Sequence, residues 1–370
     1  MKAFLRRHPV GVGFVSFSLF CLGLFLLYRL SPAFAEGFSV TVGAAVRLTL
    51  AFLSAPFPFS LFEFLIAAFV LYTLGVFVCG IVFWCRRKKS RALKRMALAV
   101  PATLLAVWDL FCLGFAPCYY RLPASTHMAL PMDEVDENAV FDALEGLVAV
   151  IAEAEPRLIL NEAGESLPSY PLSELKKKVV AAADAFGKEN PFYQVGGFPA
   201  KSFLSSPLMT YTHISGIYGF FVGEAGVNTN YPHFVVCATL AHETCHARGI
   251  AAENECNFLG AVLLMESEDP YLRYCGAASL LDDLYSVCRK ADRERCEGIL
   301  QNLPAVYARD QAAYSRFFEP YRDSTASKVA DQTNSAYLQS MGQSEGTVSY
   351  SRVIRLTAAW FRSQKNTQNP

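Results

Sequence analysis

The chain has 370 residues, of which 53% are hydrophobic and 18% charged, and its formal net charge is zero. So large an apolar share points to membrane segments beside a globular part of ample core size. The balanced charge leaves no overall field to gather nucleic acid, so a nucleic-acid partner is excluded.

Three stretches are apolar over the roughly 20 residues that a bilayer crossing takes. They are 10–28, 64–85 and 96–116, the last interrupted only by Asp109. Between the first two, residues 38–60 carry Arg47 and end in the proline-containing PFPFS. That segment reads as an interfacial or re-entrant helix. Lys2, Arg6 and Arg7 precede the first span, and RRKKSRALKR, residues 86–95, follows the second. Positive charge marks the cytoplasmic side. The N-terminus and the 86–95 loop are therefore expected inside, and everything after about Cys118 outside the cytoplasm. This gives a membrane domain over 1–118, in contact with the lipid bilayer, and an extracytoplasmic domain over 119–370. Asp109, costly at mid-bilayer, is expected near the outer end of its helix, reaching interfacial water. The seven cysteines from Cys118 onward contain no CxxC pair. They read mainly as small buried side chains, with Cys275 able to pair with Cys288 or Cys296.

Past a proline-containing juncture at 121–134, apolar residues at helical spacing predict a helix over 137–153. A second is expected over 171–186, capped by Ser169 or Ser173 and closed by Gly187. Residues 192–230 are rich in aromatic and β-branched residues with glycine breaks, which predicts a small sheet with turns. A helix follows from Pro232 to Arg248, stopped at Gly249, and another from 251 to 266, ended by Asp269-Pro270. The region 277–342 reads as mainly helical, and a last helix follows Gly346. The expected fold is an α-helical membrane anchor followed by a mainly helical α+β domain.

The chemistry concentrates in LAHETCHARGIAAENECN, residues 240–257. His242, Glu243 and His246 form H-E-x-x-H. Residues i and i+4 share one helix face about one turn apart, so both imidazoles can reach one ion. Zinc accepts such nitrogens, and Glu243 beside them can act as general base on a zinc-held water. A third histidine in the HExxHxxGxxH pattern would fall at position 252, which is Ala252. The third ligand is then expected from the next helix, where Glu253 and Glu255 are on offer. Glu253 is preferred because it shares a face with Asn257, which could orient a ligand from one turn away.

E-N-E-C-N at 253–257 resembles the E-x-x-x-D element that follows HExxH in gluzincin metallopeptidases. The resemblance implies a zincin fold, Glu253 as third ligand and Asn257 as its supporting residue, with Asn standing where that pattern has Asp. A closer resemblance is to a family of bacterial membrane proteins with three N-terminal helices and an external HExxH domain, catalogued as a domain of unknown function. It is carried by PFPFS at 56–60, YYR at 119–121, GIYGFFVGEAGVN at 216–228, HETCHARGIAAENECNF at 242–258 and GTVSYSRVIRL at 346–356. This likeness implies a multi-pass protein of the bacterial cell membrane.

The zincin likeness further implies that an edge strand pairs with extended substrate. Ile217–Asn228 is the segment for it, or else an ordinary hydrophobic strand or turn; Ile217, Tyr218 and Gly219 would lie along the peptide, and Glu224 is either a contact to a substrate amine or a solvated turn residue. Tyr350, in the C-terminal motif, is chosen as the oxyanion donor over Tyr337, His233 and His213. The expected activity is Zn2+-dependent hydrolysis of a peptide or protein of the cell envelope. The alternative is a catalytically inactive zincin-fold protein that binds or senses an envelope component.

Overall fold

The computed structural model describes residues 9–86, 90–341 and 349–368. The chain divides into two compact units. The first runs to Arg121 and also includes Gly219–Glu224; the second comprises Leu122–Tyr218 and the chain from Ala225 on. The boundary lies three residues beyond the expected Cys118, and the sequence gives no hint that a short piece from the middle of the chain belongs with the membrane helices.

The first unit is built on four helices: α1 (Pro9–Leu30), α2 (Pro32–Ser54), α3 (Leu61–Cys85) and α4 (Arg91–Gly114). All four are long and apolar enough to cross a membrane. Most of the segment 38–60, read as interfacial or re-entrant, lies in a helix of crossing length. Arg47, one reason for that reading, is buried and donates to the carbonyl oxygens of Gly114 at 2.8 Å and Ser39 at 3.1 Å. Asp109 is likewise not water-facing; it is buried on α4 and accepts from the Ser18 hydroxyl of α1 at 2.8 Å. Glu36 and Arg121 form a two-pronged ion pair at the end of this unit.

Residues Gly219–Glu224 pack into the ends of three of these helices. The Phe220 ring lies 5.3 Å from that of Phe111, and the Phe221 ring 5.4 Å from that of Phe62. Gly223, at φ +68°, brings its backbone against that of α2: a Cβ there would sit 2.5 Å from the Ala51 nitrogen. Only glycine combines this left-handed conformation with such close approach. Glu224 is buried, and its carboxylate accepts from the Ser60 hydroxyl at 3.2 Å and from the backbone N–H of Leu61 and Phe62 at 3.3 and 3.1 Å. It caps the N-terminus of α3, whose first N–H groups have no partners within the helix. The expected contact of Glu224 with a substrate amine is therefore replaced by a structural role.

The second unit holds α5 (Glu137–Ala154), α6 (Leu172–Glu189), α7 (His233–Ala247), α8 (Glu253–Met265), α9 (Pro270–Ala291), α10 (Arg293–Leu300), α11 (Ala305–Phe318), α12 (Thr325–Ser340) and α13 (Ser349–Gln368). The core is made where α5, α8, α9 and α13 pack together and α7 lies against α6, α8 and α9. The cap of α6 is Pro171 without a side-chain bond, and Gly187 lies inside that helix rather than ending it. Gly249, at φ +90°, does follow the end of α7. Asp269 begins α9 by accepting from the N–H of Tyr271 and Leu272. Cys118 and all six cysteines of the second unit are buried free thiols, so the expected Cys275 pairings are not made.

The strand content of 192–230 is small. β1 (Ile159–Leu160) and β2 (Ser166–Leu167) form an antiparallel pair, and β3 (Lys201–Ser202), β4 (Gly216–Gly219) and β5 (Glu224–Val227) a three-stranded sheet in the order β3-β5-β4. β3 and β5 are parallel, and β4 lies at the edge.

The capping role of Glu224 is open to test. Glu224→Ala leaves two helix N–H groups and the Ser60 hydroxyl without their acceptor, a loss of about 2–4 kcal/mol. Glu224→Gln keeps one acceptor oxygen and loses less. Thermal unfolding of the full-length protein in mild detergent is expected to rank wild type above Gln and Gln above Ala. Equal midpoints for Ala and wild type would contradict the cap.

Candidate metal centre

α7 is buried nearly all round, from Phe234 and Val236 to Leu240, Thr244 and Cys245. A helix of this kind is held by neighbours on every side rather than by one apolar stripe. Gly260 of α8 lets that helix approach closely, since a Cβ there would lie 3.1 Å from the His242 backbone nitrogen. The turn between the helices, stopped by Gly249, is fixed by Arg248, whose buried guanidinium lies 2.8 Å from Asp184 of α6. These constraints bring the first turn of α8 to the side of α7 that carries the histidines.

His242 Nε2 and His246 Nε2 lie 3.1 Å apart, and Glu253 Oε2 is 3.1 Å from the first and 3.6 Å from the second. Behind each ring the other nitrogen is engaged. His242 Nδ1 is 2.7 Å from Asn257 Oδ1, and His246 Nδ1 is 2.9 Å from the Ile250 carbonyl oxygen. A carbonyl oxygen can only accept, so Nδ1 of His246 carries the proton. The amide oxygen of Asn257 asks the same of His242. In the neutral rings both Nε2 atoms then present bare lone pairs to one another and to the Glu253 carboxylate. Three acceptors facing one point call for a cation.

The spacing suits a small one. Zinc held tetrahedrally at about 2.0–2.1 Å separates its ligand atoms by about 3.3 Å. The three separations here bracket that value. Burial opposes a charge on Glu253, but His246 and His242 more than offset it and hold the carboxyl well below the usual carboxylate range. Burial likewise disfavours charge on His246, while Glu253 and the Ile250 carbonyl raise its pKa overall.

Glu255 faces elsewhere. Its buried carboxylate accepts from the Ala124 N–H at 3.0 Å, at the start of the short helix Ala124–His127. Two residues along a helix is more than half a turn, which is why only one of the two glutamates can reach the histidines. Cys256, read from the sequence as a small buried side chain and not as a site residue, is buried 3.3 Å from His246 Nδ1 and donates to the Ile250 carbonyl. It approaches the side of His246 that Ile250 already occupies, and burial pushes its thiol pKa well up, so it stays a thiol. Glu253, on the Nε2 side, is the better donor to a metal.

Glu243 is buried, and its Oε2 has no hydrogen-bond partner among the described residues. Burial pushes its pKa up to about 8, with His242 pulling it down and Glu253 pushing it further up. The carboxylate is seated against Gly216 at the start of β4: a Cβ there would come 2.6 Å from Glu243 Oε1. Ile217 and Tyr218 continue along β4 from that point, whereas Gly219 lies under the Phe62 ring in the first unit. Tyr350 falls in the first turn of α13, and its side chain lies outside the described residues. His213, a lesser oxyanion candidate, is engaged with the Tyr321 carbonyl at 2.7 Å.

A family model described as protein of unknown function (DUF3810) matches residues 38–358. No curated protein and no solved structure matches significantly. The match takes in α3, α4, the hairpin and both helices of the candidate centre, and on that extent the chain belongs to the DUF3810 family.

Proposed function

We propose that the protein is a membrane-anchored zinc metallopeptidase of zincin type, with His242, His246 and Glu253 as ligands and Glu243 as general base. The observation that carries this reading is the convergence of two Nε2 lone pairs and one carboxylate oxygen within 3.1–3.6 Å, with both Nδ1 atoms turned to acceptors. When bound, zinc supplies Lewis-acid polarisation of a carbonyl and acidification of water. The chain's own residues do the rest. Asn257 and the Ile250 carbonyl hold the imidazoles in the tautomer that leaves Nε2 free. Glu243, with a pKa raised toward neutrality by burial, can take a proton from water and hand it to a leaving amine. β4 lies at the sheet edge, where an extended peptide could add alongside it.

The anchor's orientation follows from charge. If all four helices crossed, the N-terminal Lys2, Arg6 and Arg7 and the basic 86–95 loop would lie on opposite sides. The positive-inside rule favours three crossings, with α2 lying in the membrane without traversing it. Arg47, buried against Gly114 and Ser39, suits such a helix. The second unit is then extracytoplasmic, with envelope peptides or proteins as the substrate class.

Elemental analysis of the purified full-length protein is expected to give one zinc per chain. Glu253→Ala should lose it, and Glu255→Ala should keep it while unfolding more easily. Zinc retained by Glu253→Ala, or absent from reloaded wild type, would sink the assignment. Glu243→Gln should retain zinc and lower peptide hydrolysis at least about 10²-fold, since general-base catalysis supplies factors of that order. A protein that only binds or senses peptide would keep its affinity on this change and show no hydrolysis before it. Gly216→Ala places a methyl group where the Glu243 carboxylate sits. It is expected to keep zinc and lower kcat by tenfold or more, and an unchanged kcat would remove Glu243 from the reaction.

A further inference from the structure

β4 is four residues long, and its two ends are held by different things. At its start, Gly216 lies against the Glu243 carboxylate. At its end, Gly219 lies under the ring of Phe62, the second residue of α3. The turn that follows is held by the aromatic rings of Phe111 and Phe62, the α2 backbone and the Glu224 cap on α3. Three residues of extended chain span about 10 Å. That bound follows from the length of β4 alone.

α3 has 25 residues. At 1.5 Å per residue it is about 37 Å long, against about 30 Å of hydrocarbon. A crossing α3 therefore has its first turn within about 7 Å of one face of the apolar layer. The general base is then only a short strand away from the membrane surface. A peptide paired along β4 would have its reacting carbonyl within about five extended residues of the bilayer.

We propose that the substrates are membrane-anchored polypeptides, cut in the extended segment immediately outside their own membrane span. The inference rests on the metallopeptidase reading and adds the substrate class. A chain that leaves the bilayer beside α3 reaches β4 in extended form within a few residues. A peptide free in solution gains nothing from that placement, whereas an anchored one is presented at high local concentration.

The test uses the zinc-loaded full-length protein, reconstituted in phosphatidylcholine–phosphatidylglycerol vesicles. The probe is a single-span model protein carrying an unstructured, mixed-sequence stalk of about 40 residues, compared with the same stalk lacking the span. Mass spectrometry reads the cut positions, and Glu243→Gln assigns them to this site. Cuts clustered within about ten residues of the span, with the free stalk cut at least tenfold more slowly, are the expected result. Cuts spread along the stalk, or an equal rate on the free stalk, would overturn the inference and leave the peptidase reading in place. No cut in either substrate, from protein holding one zinc per chain, would overturn both.

Discussion

The second unit depends on a local repulsion. With each Nδ1 facing an acceptor, His242 Nε2, His246 Nε2 and Glu253 Oε2 face one another at 3.1–3.6 Å. Acceptors this close repel unless a proton or a metal ion lies among them, and their burial strengthens the effect. Much of the surrounding structure maintains the arrangement. Gly249 ends α7 so that the Ile250 carbonyl returns to His246 Nδ1. Gly260 admits the α7 backbone, so that α8 delivers Glu253 and Asn257 on one face. Relaxing any one of these would let a histidine turn and the three acceptors part.

Glu243 stands under a different constraint. It neighbours His242 in sequence, and its carboxylate occupies the space left by the missing side chain of Gly216. A buried carboxylate with one unpaired oxygen is expensive, and the cost shows as a pKa raised to about 8. Asp310 shows how the same fold treats a structural carboxylate. That side chain is also buried, yet it accepts from the Ser166 N–H and hydroxyl and from the Tyr274 hydroxyl. Burial raises the pKa of both, but only Glu243 keeps an oxygen without a donor, the kind of buried carboxylate that marks a candidate site.

How much of this was legible in the sequence follows the range of the interactions. The HExxH pair and the choice of Glu253 over Glu255 are helical phase, and phase is local. Asn257 was legible for the same reason, one turn from Glu253. Glu224 was misread because its partners are the N–H groups of Leu61 and Phe62, more than 160 residues upstream, and nothing near it in sequence announces a cap. Arg47 suggested a water-seeking segment because composition counts its charge and not the carbonyls of Gly114 and Ser39 that receive it. Asp109 was misjudged likewise, its partner being a hydroxyl on another helix. The extent of strand over 192–230 was overestimated because aromatic and β-branched residues there serve packing. Phe203, for one, closes over Gly226, where a Cβ would meet its ring at 2.1 Å.

The membrane helices do more than tether. A tether could be any apolar helix, yet this unit receives Gly219–Glu224, and each residue used there is specific to the place. Gly219 and Gly223 admit a ring and a backbone that a methyl group would exclude, while Phe220 and Phe221 reach the aromatic residues of α4 and α3. Glu224 completes the first turn of α3. Removal of the helices would leave two phenylalanines and a buried carboxylate without their partners at the tip of the hairpin that carries β4. The strand begins against Glu243, so its order and the order of the first unit are linked through four consecutive residues. On the peptidase reading, the helices belong to the catalytic machinery because they fix the far end of the strand on which substrate would lie.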